Sequence, residues 1–330
     1  MRRPFSETAG VRNRAYSVLL QRRITDFGSE KSFARAAQQV FEHYGLEVPI
    51  SAVRRITEHH GEQLDGEQDW VQGEPNDKVA SQLIAEMDGT MIPTVVIAEE
   101  CAGDKRKTRE VAWKEARLGL VYEQGCTNPV FGATTGNVDQ AGDQLSLCAS
   151  RIGMDSRTEV HGVGDGAPWI ADQVERIFGA QGSYLIDFYH LCDYLAAASK
   201  SCAKDHEAWF ATQKRRMKYG QIEEVLAELA IHREPPCVED NDAPVRACLR
   251  YLQNRPGQFD YLKALREELP IGSGEIESAH RYVIQERLKI SGAWWKIDNA
   301  DKMLALRINR ANGNWGNYWH SIRSTSISSL

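Results

Sequence analysis

The stretch Gln82-Leu-Ile-Ala-Glu-Met-Asp-Gly-Thr-Met-Ile-Pro93 decides how the rest of the chain is interpreted. It is apolar and strand-like, yet it contains Asp88. An ionised carboxylate within an apolar strand is costly unless it is paired or binds a metal ion. Two alternatives stay open at this point. Glu86 shares the strand face of Asp88 because side chains alternate with a period of two, and the Asp-Gly pair is also typical of a hairpin turn.

Two later segments present acidic residues in equally distinct settings. Asp165 lies between glycines in Glu159-Val-His-Gly-Val-Gly-Asp-Gly-Ala-Pro-Trp169, at the end of a second predicted strand. Glu277 lies in Ile271-Gly-Ser-Gly-Glu-Ile-Glu-Ser-Ala-His280, where a glycine-rich turn opens a helix. Two strand carboxylates and a helix glutamate suit the binding of two divalent cations for phosphodiester chemistry. A turn aspartate and a glutamate favoured by the helix dipole are the plain alternatives.

The helix that follows the glycines adds further polar groups to this set. Glu277, His280 and Arg281 share one predicted helical face. A carboxylate beside an imidazole and a guanidinium suits a metal site with phosphate partners nearby. Glu275 and Glu286 compete with Glu277 for the role of metal ligand.

Composition is that of an ordinary globular protein. The 330 residues are 42% hydrophobic and 26% charged. The start, Met-Arg-Arg-Pro-Phe-Ser-Glu, has no apolar signal core, and no run approaches a membrane span. The seven cysteines are scattered without a Cys-x-x-Cys pair, which fits reduced thiols. We therefore expect a cytoplasmic protein.

Charge is distributed unevenly along the chain. Residues 1–60 contain ten Lys/Arg and six Asp/Glu, a net of +4, and residues 271–330 contain eight and five, a net of +3. The overall charge of −6 then leaves −13 for residues 61–270. Two mildly basic ends around an acidic centre would allow DNA contact at the ends and metal binding in the centre. Ordinary variation in surface charge remains an equal alternative.

The N-terminal sixty residues have the pattern of a small helical unit. Apolar periodicity predicts helices over 11–28 and 31–44, and Ser51 is a good N-cap for a third helix that carries Arg54 and Arg55. A helix, a short turn and a basic helix form the outline of a helix-turn-helix DNA reader. The same outline is found in plain helical hairpins.

Downstream, strand and helix patterns mix and then give way to helices alone. Strands are predicted at 82–88, 92–98, 111–123, 129–134, 158–164 and 183–188, and helices at 138–152 and 168–178. The regions are 1–62, a helix-turn-helix region; 63–78, a linker; 79–192, the first part of an α/β core; 193–268, an all-α insertion; and 269–330, the C-terminal helices and tail. The fold class is α/β, with a mixed sheet flanked by helices.

The order and wording of five segments resemble the DDE transposases of bacterial insertion sequences, nearest to the ISKra/ISLre-type groups. The segments are Met87-Asp-Gly-Thr-Met-Ile-Pro93, Gly164-Asp-Gly-Ala-Pro-Trp-Ile170, Asp187-Phe-Tyr-His190, Gly272-Ser-Gly-Glu-Ile-Glu-Ser278 and Arg287-Leu-Lys-Ile-Ser-Gly-Ala-Trp-Trp295. The resemblance covers roughly residues 80–320. It implies an RNase H-like catalytic core with an all-α insertion before the last catalytic helix.

The resemblance also implies a function. Asp88, Asp165 and Glu277 would bind two Mg²⁺ ions, with Mn²⁺ as a substitute, and the protein would cut and join DNA at the ends of an insertion sequence. Its partners would be double-stranded DNA, namely the terminal inverted repeats and the target, and it would act as a homo-oligomer on DNA in the bacterial nucleoid. Another RNase H-like nuclease or resolvase, and an inactive DNA-binding remnant, are the alternatives.

Accessory residues follow from the same comparison. Asp187 and His190 match a signature of the group near its active site, although a capping pair at a helix start explains them equally well. His280 and Arg281 are accessory candidates beside Glu277. The predicted DNA contacts are Arg54, Arg55, Arg287, Lys289, Trp294 and Trp295. For the tryptophan pair, one core ring and one surface ring is the plain alternative.

Overall fold

The computed structural model describes residues 16–66, 79–97 and 109–328. The five strands are β1 (Gln82–Ile97), β2 (Arg109–Glu123), β3 (Val130–Thr134), β4 (Glu159–Gly164) and β5 (Gly182–Ile186). The helices before β5 are α1 (Val18–Gly28), α2 (Phe33–Tyr44), α3 (Ile50–Gly66), α4 (Val138–Ile152) and α5 (Pro168–Phe178). Those after it are α6 (Phe188–Cys202), α7 (His206–Lys218), α8 (Ile222–Ile231), α9 (Pro244–Gln253), α10 (Tyr261–Arg266), α11 (Gly274–Ala279), α12 (Glu286–Leu288), α13 (Ile297–Ala311) and α14 (Trp315–Ser328).

The strands form one mixed sheet in the order β3-β2-β1-β4-β5. β1 pairs antiparallel with β2 and parallel with β4, and β4 pairs parallel with β5. The predicted division of β1 into two strands is wrong. The strand continues through Gly89 and Pro93, with Asp88 opposite Leu118 of β2. A hairpin turn at the Asp-Gly pair is therefore excluded.

Helices cover both faces of this sheet, and alternation along β1 decides which side chains meet which helices. Leu83, Ala85 and Met87 pack into one core with residues of α4 and α5. Glu86 and Asp88 point to the opposite face by the period of two. There the core is formed with residues of α11, α12 and α13. Both predicted helices at 138–152 and 168–178 are confirmed at those bounds.

The three N-terminal helices have a small core of their own and also contact the rest of the chain. Leu64 of α3 belongs to the same apolar cluster as Leu304 of α13. Arg307 of α13 forms an ion pair with Glu30 at 2.6 Å, and its neighbour Arg310 pairs with Asp26 at 3.0 Å. The predicted helix 11–28 is present from Val18 onward, with residues 11–15 outside the described ranges, and the other two predicted helices are present as α2 and α3. These helices pack on the core. The predicted linker 63–78 begins as the last turn of α3, and residues 67–78 lie outside the described ranges.

The helical insertion begins at α6, slightly earlier than the predicted residue 193, because Asp187 caps α6 directly at the end of β5. Helices α6 to α10 bury a separate core that includes Phe188, Val225 and Tyr261. The chain returns to the sheet at α11. A π-helical segment, His280–Gln285, joins α11 to α12. Among the described helices, none combines the length and apolarity that crossing a lipid bilayer would require.

Candidate functional site

The pairing of β1 with β4 brings two of the three predicted carboxylates together. The parallel register runs from Gln82 opposite Glu159 to Glu86 opposite Val163. The same register continued by two residues sets Asp165 beside Asp88. The carboxyl ends of neighbouring parallel strands meet at one edge of a sheet, where sites are commonly formed. The two aspartates thus meet because of the strand pairing alone.

The third carboxylate reaches the same place from α11. The pKa of Asp88 is raised to about 6, chiefly by burial and also by the negative charges of Asp165, Glu277 and Glu115. The Gly89 N–H, which donates to Asp88 Oδ1 at 2.7 Å, opposes this rise. Like charges have such an effect only when they are near one another. Glu277 therefore lies near Asp88.

The rival glutamates have different environments. Glu86 is buried, and its Oε2 accepts a hydrogen bond from the Ile276 N–H at 2.9 Å while its Oε1 accepts one from the Tyr122 hydroxyl at 3.1 Å. Burial raises the pKa of Glu86 to about 7, these two bonds oppose the rise, and Glu275 adds to it. Glu275 thus lies near Glu86. Glu86 thus accepts a hydrogen bond from the backbone of the first turn of α11 and holds that turn in place. The sequence did not predict this role, although the spacing of two residues from Asp88 placed Glu86 on the correct face of the strand.

Asp187 fastens the turn that precedes α11. Its Oδ1 accepts hydrogen bonds from the N–H groups of Tyr189 and His190 at 2.6 and 3.0 Å, which makes it the N-cap of α6. Its Oδ2 accepts from the backbone N–H of Ser273 at 2.6 Å and from the Ser273 hydroxyl at 2.7 Å. The capping interpretation is confirmed, and the same carboxylate also holds the turn four residues before Glu277. Two buried carboxylates, Glu86 and Asp187, therefore position α11.

The loop that carries Asp165 is held by the insertion. The Tyr251 hydroxyl donates to the Asp165 carbonyl at 2.7 Å, and Arg255 Nε donates to the Gly166 carbonyl at 2.7 Å. Gly166 has φ +87°, and a Cβ there would lie 2.7 Å from the Tyr251 hydroxyl, so this position requires glycine. The Asp165 carboxylate accepts from the Ala167 N–H at 2.7 Å. No sequence pattern linked Tyr251 or Arg255 to this loop.

His190 and His280 have unlike positions. His190 packs among tyrosine rings, with ring centroids 5.9 Å from Tyr194 and 6.1 Å from Tyr251. His280 is buried, and its Nε2 lies 3.2 Å from Asp88 Oδ2. Burial lowers the pKa of His280 to about 4, the contact with Asp88 opposes this, and Lys289 lowers it further. At neutral pH the imidazole beside Asp88 is thus uncharged.

Other charged groups border the carboxylates. Glu115 of β2 lies over Gly89, since a Cβ at Gly89 would meet its Oε1. Glu115 forms an ion pair with Arg117, and the Arg117 guanidinium lies 5.4 Å from the ring centre of Trp169. These β2 residues were not predicted, although their two-residue spacing repeats that of Glu86 and Asp88. They place one more carboxylate and one cation at the site.

The predicted DNA contacts fall into two groups. The first group is accessible: Arg54 and Arg55 are exposed along a groove of about 680 Å³ with Lys302, and Arg54 pairs with Glu58 at 2.8 Å. Lys289 is exposed and donates to the Thr90 hydroxyl at 2.6 Å. Trp294 and Arg281 are also exposed.

The second group is buried, and the structure corrects the prediction for it. Arg287 is 2% exposed, and its guanidinium lies 4.8 Å from the ring centres of both Phe33 and Trp295. Its Nε donates to the Gly28 carbonyl at 3.0 Å. Trp295 is 5% exposed and donates from its indole to the Leu288 carbonyl at 3.0 Å. Both side chains join the N-terminal helices to the core and cannot reach a nucleic acid in this conformation.

The chemistry of the donors fits a hard divalent cation, since Asp88, Asp165 and Glu277 offer carboxylate oxygens. Asp165 and Glu277 lie close enough to Asp88 for their charges to raise its pKa, but the three carboxylates are not gathered about one point. In the described ranges, no three Asp, Glu, His or Cys side chains lie within reach of a common ion. A shift of the carboxylates toward one another would be needed to form a closed site.

Comparisons with known proteins give one match. A search of curated proteins finds no match. The model of the Uncharacterised protein family (UPF0236) matches residues 152–320, which is just over half of the chain and includes Asp165, Asp187 and Glu277. The chain therefore belongs to the Uncharacterised protein family (UPF0236).

Proposed function

We propose that this protein is a DDE transposase that cuts DNA at the ends of an insertion sequence and joins the freed ends to target DNA. The single observation that supports this most strongly is that two carboxylates from distant parts of the chain lie close enough to Asp88 for their charges to act on it. Asp88, Asp165 and Glu277 come from two adjacent strands and a facing helix. Such a set is suited to two-metal phosphodiester chemistry.

The architecture supports an RNase H-like interpretation. The sheet is mixed, helices cover both of its faces, and an all-α insertion separates β5 from the helix with Glu277. The resemblance of five sequence segments to the transposase group implies the same arrangement. We further propose that α2 and α3 act as a helix-turn-helix that contacts duplex DNA through Arg54 and Arg55.

Asp88, Asp165 and Glu277 would hold two Mg²⁺ ions, with Mn²⁺ as a substitute. Bound there, the ions would activate water, and later the 3′-hydroxyl, and would stabilise the departing oxygen. His280, which is neutral at pH 7, lies beside Asp88 and adds no positive charge to the site. Glu86 and Asp187 hold the start of α11, so Glu277 is presented by backbone contacts that do not depend on its own side chain.

The surroundings of the carboxylates fit a phosphate-containing substrate. The Lys289 ammonium is fixed next to Thr90, two residues beyond Asp88 on β1, where it could neutralise a DNA phosphate. Trp294 is exposed on the same C-terminal segment and could stack on a base. We propose that the protein binds terminal inverted repeats and target DNA as a homo-oligomer, in the cytoplasm of a bacterium. The proposed chemistry forms no covalent protein–DNA link.

The test is strand cleavage of duplex oligonucleotides that carry the DNA ends flanking the gene. We expect 3′-hydroxyl products with Mg²⁺ or Mn²⁺ and none with Ca²⁺. Asp88→Asn and Glu277→Gln should lower cleavage by at least about a hundredfold, because an amide is a poor ligand for a hard cation. DNA binding by both variants should stay close to that of the parent protein.

The chain provides a matched control for the glutamate. Glu275 is exposed on the same helix turn as Glu277, but its charge is among the causes that raise the pKa of Glu86, whereas that of Glu277 is among those that raise the pKa of Asp88. Glu275→Gln should therefore retain cleavage within a few fold. Equal loss in Glu275→Gln and Glu277→Gln would contradict the assignment. Cleavage without joining would favour a nuclease or resolvase, and binding without cleavage under any metal would favour an inactive remnant.

A further inference from the structure

A basic groove lies on the helical insertion, away from the residues that the resemblance singled out. It has a volume of about 480 Å³. Its walls come from the end of α7 and from α10, and its lining residues are Lys214, Arg215, Lys218, Tyr219, Leu262, Leu265 and Arg266. Four of these seven residues are cations, and none is acidic. The surrounding region 61–270 has a net charge of −13, so the groove is an exception to its environment.

The four cations are not neutralised by the protein. None of Lys214, Arg215, Lys218 and Arg266 forms an ion pair or a side-chain hydrogen bond with any residue in the described ranges. Neighbouring cations behave differently, since Arg216 pairs with Glu228 and Lys263 approaches Glu267. Four like charges left together on a surface repel one another unless an anionic partner covers them.

The lysine side chains are held in place by aromatic rings. The Lys218 ammonium lies 4.8 Å from the ring centre of Phe188, and the Lys214 ammonium lies 4.9 Å from that of Phe210. Cation–π contacts of this kind fix the charges without removing them from solvent. Tyr219 adds an exposed ring at the end of α7. Fixed, solvent-accessible cations are suited to contacts with the phosphate backbone of DNA.

One lining residue of the groove, Lys218, contacts the start of α6 through the buried Phe188 ring. Phe188 directly follows Asp187, whose carboxylate holds the Ser273 backbone. The Tyr189 ring packs on Gly272, where a Cβ would approach it to 2.8 Å. Lys218 is thus linked by two short contacts to the turn that presents Glu277.

We propose that this groove binds the phosphate backbone of duplex DNA, an inference that rests on the proposed function. Its contribution should be independent of sequence, because lysine and arginine contacts to phosphates do not read bases. It is also separate from the N-terminal helices, which contain Arg54 and Arg55. The insertion would then clamp DNA that the N-terminal helices select.

The test compares two lysine pairs on the same helical hairpin. Lys214→Gln/Lys218→Gln removes two groove charges and retains most of each side chain. Lys200→Gln/Lys204→Gln removes two charges near the opposite end of α6 and α7, where these lysines border another depression. Binding of the end duplex and of an unrelated duplex is measured by fluorescence anisotropy from 50 to 200 mM salt. Melting temperatures establish that both variants fold.

The groove variant should lower the slope of log K against log salt by about two, since each lost phosphate contact changes it by about 0.9. Its binding should fall for both duplexes by a similar factor, about tenfold at the lowest salt. The control pair should change the slope by less than about 0.5. If the parent protein binds and cleaves DNA but the two variants have equal slopes of log K against log salt, the groove proposal alone is overturned. Absence of DNA binding by the parent protein would overturn both proposals.

Discussion

Asp187→Asn is the change that isolates the contact between the end of β5 and the turn before Glu277. Asparagine is as good an N-cap as aspartate, so its Oδ1 can still accept from Tyr189 and His190. The amide nitrogen then replaces Oδ2 and faces the backbone N–H of Ser273 across a distance of 2.6 Å. Two donors meet there. The Ser273 hydroxyl can rotate and accept, but the backbone N–H has no other partner.

The magnitude follows from the burial of this contact. Asp187 and Ser273 are each 5% exposed, so water does not replace the lost bond. A buried N–H without a partner costs about 1–3 kcal/mol, and loss of the charge-assisted character of the other bonds adds up to about 1 kcal/mol. We expect the free energy of unfolding to fall by about 1–4 kcal/mol. We also expect cleavage to fall, because the start of α11 and hence Glu277 would shift.

Urea unfolding of Asp187→Asn, with Asp205→Asn as the matched control, measures this effect. Asp205 caps α7 by accepting from the Ala208 N–H at 3.0 Å, and it is exposed with no second partner. Asp205→Asn should change the free energy of unfolding by less than about 0.5 kcal/mol. Should the two variants lose the same amount, Asp187 would be a helix cap only and the positioning role would be refuted.

Two further predictions concern the N-terminal contact and the Asp165 loop. Burial lowers the pKa of His60 to about 4 from its ordinary value of 6.5, and the nearby His59 adds to this. The unfolded chain therefore takes up the proton first, so the free energy of unfolding should fall by up to about 3 kcal/mol as pH drops from 6.5 to 4. Urea titrations should show the free energies of unfolding of the parent protein and of His60→Gln converging over that pH range. Gly166→Ala should destabilise the protein by at least about 2 kcal/mol more than Gly257→Ala, because both glycines have positive φ but only Gly166 lies against Tyr251 and Arg255; equal thermal melting of the two variants would contradict this.

Local patterns in the sequence predicted a large part of the sheet and its covering helices. The bounds of α4 and α5 follow from clear signals, an Asn137 capping box in one case and Pro168 at the first turn in the other. The split of β1 was wrong because Asp-Gly is a strong hairpin signal only when two short strands can pair with each other. Here β1 pairs along its whole length with β2, and this long-range pairing overrides the local turn preference.

The parts of the site that depend on residue spacing along one strand or helix could be predicted from the sequence. The parts that depend on contacts between distant elements could not. Asp88 and Asp165 could be assigned to two strand segments, but the register that sets them side by side comes from the pairing of β1 with β4, which no local pattern determines. Burial of Arg287 could not be foreseen, since a guanidinium near tryptophans fits a DNA surface as well as a core. Phe33 and the Gly28 carbonyl, which enclose it, come from the far end of the chain.

The arrangement of acidic groups explains why α11 is fastened so firmly. Burial and, to a lesser degree, the negative charges of Asp165, Glu277 and Glu115 raise the pKa of Asp88, so these carboxylates repel the ionised Asp88. Left to itself, a helix with two glutamates in its first turn would move away from such a place. Glu86 and Asp187 prevent this by accepting hydrogen bonds from the backbone of Ile276 and Ser273, which is a part of the chain that carries no negative charge. Electrostatic strain among the candidate ligands is thereby balanced by contacts to N–H groups at the start of the helix, where the helix dipole also favours carboxylates. The repulsion among the carboxylates is thus retained in the folded protein. A cation that binds there would relieve it.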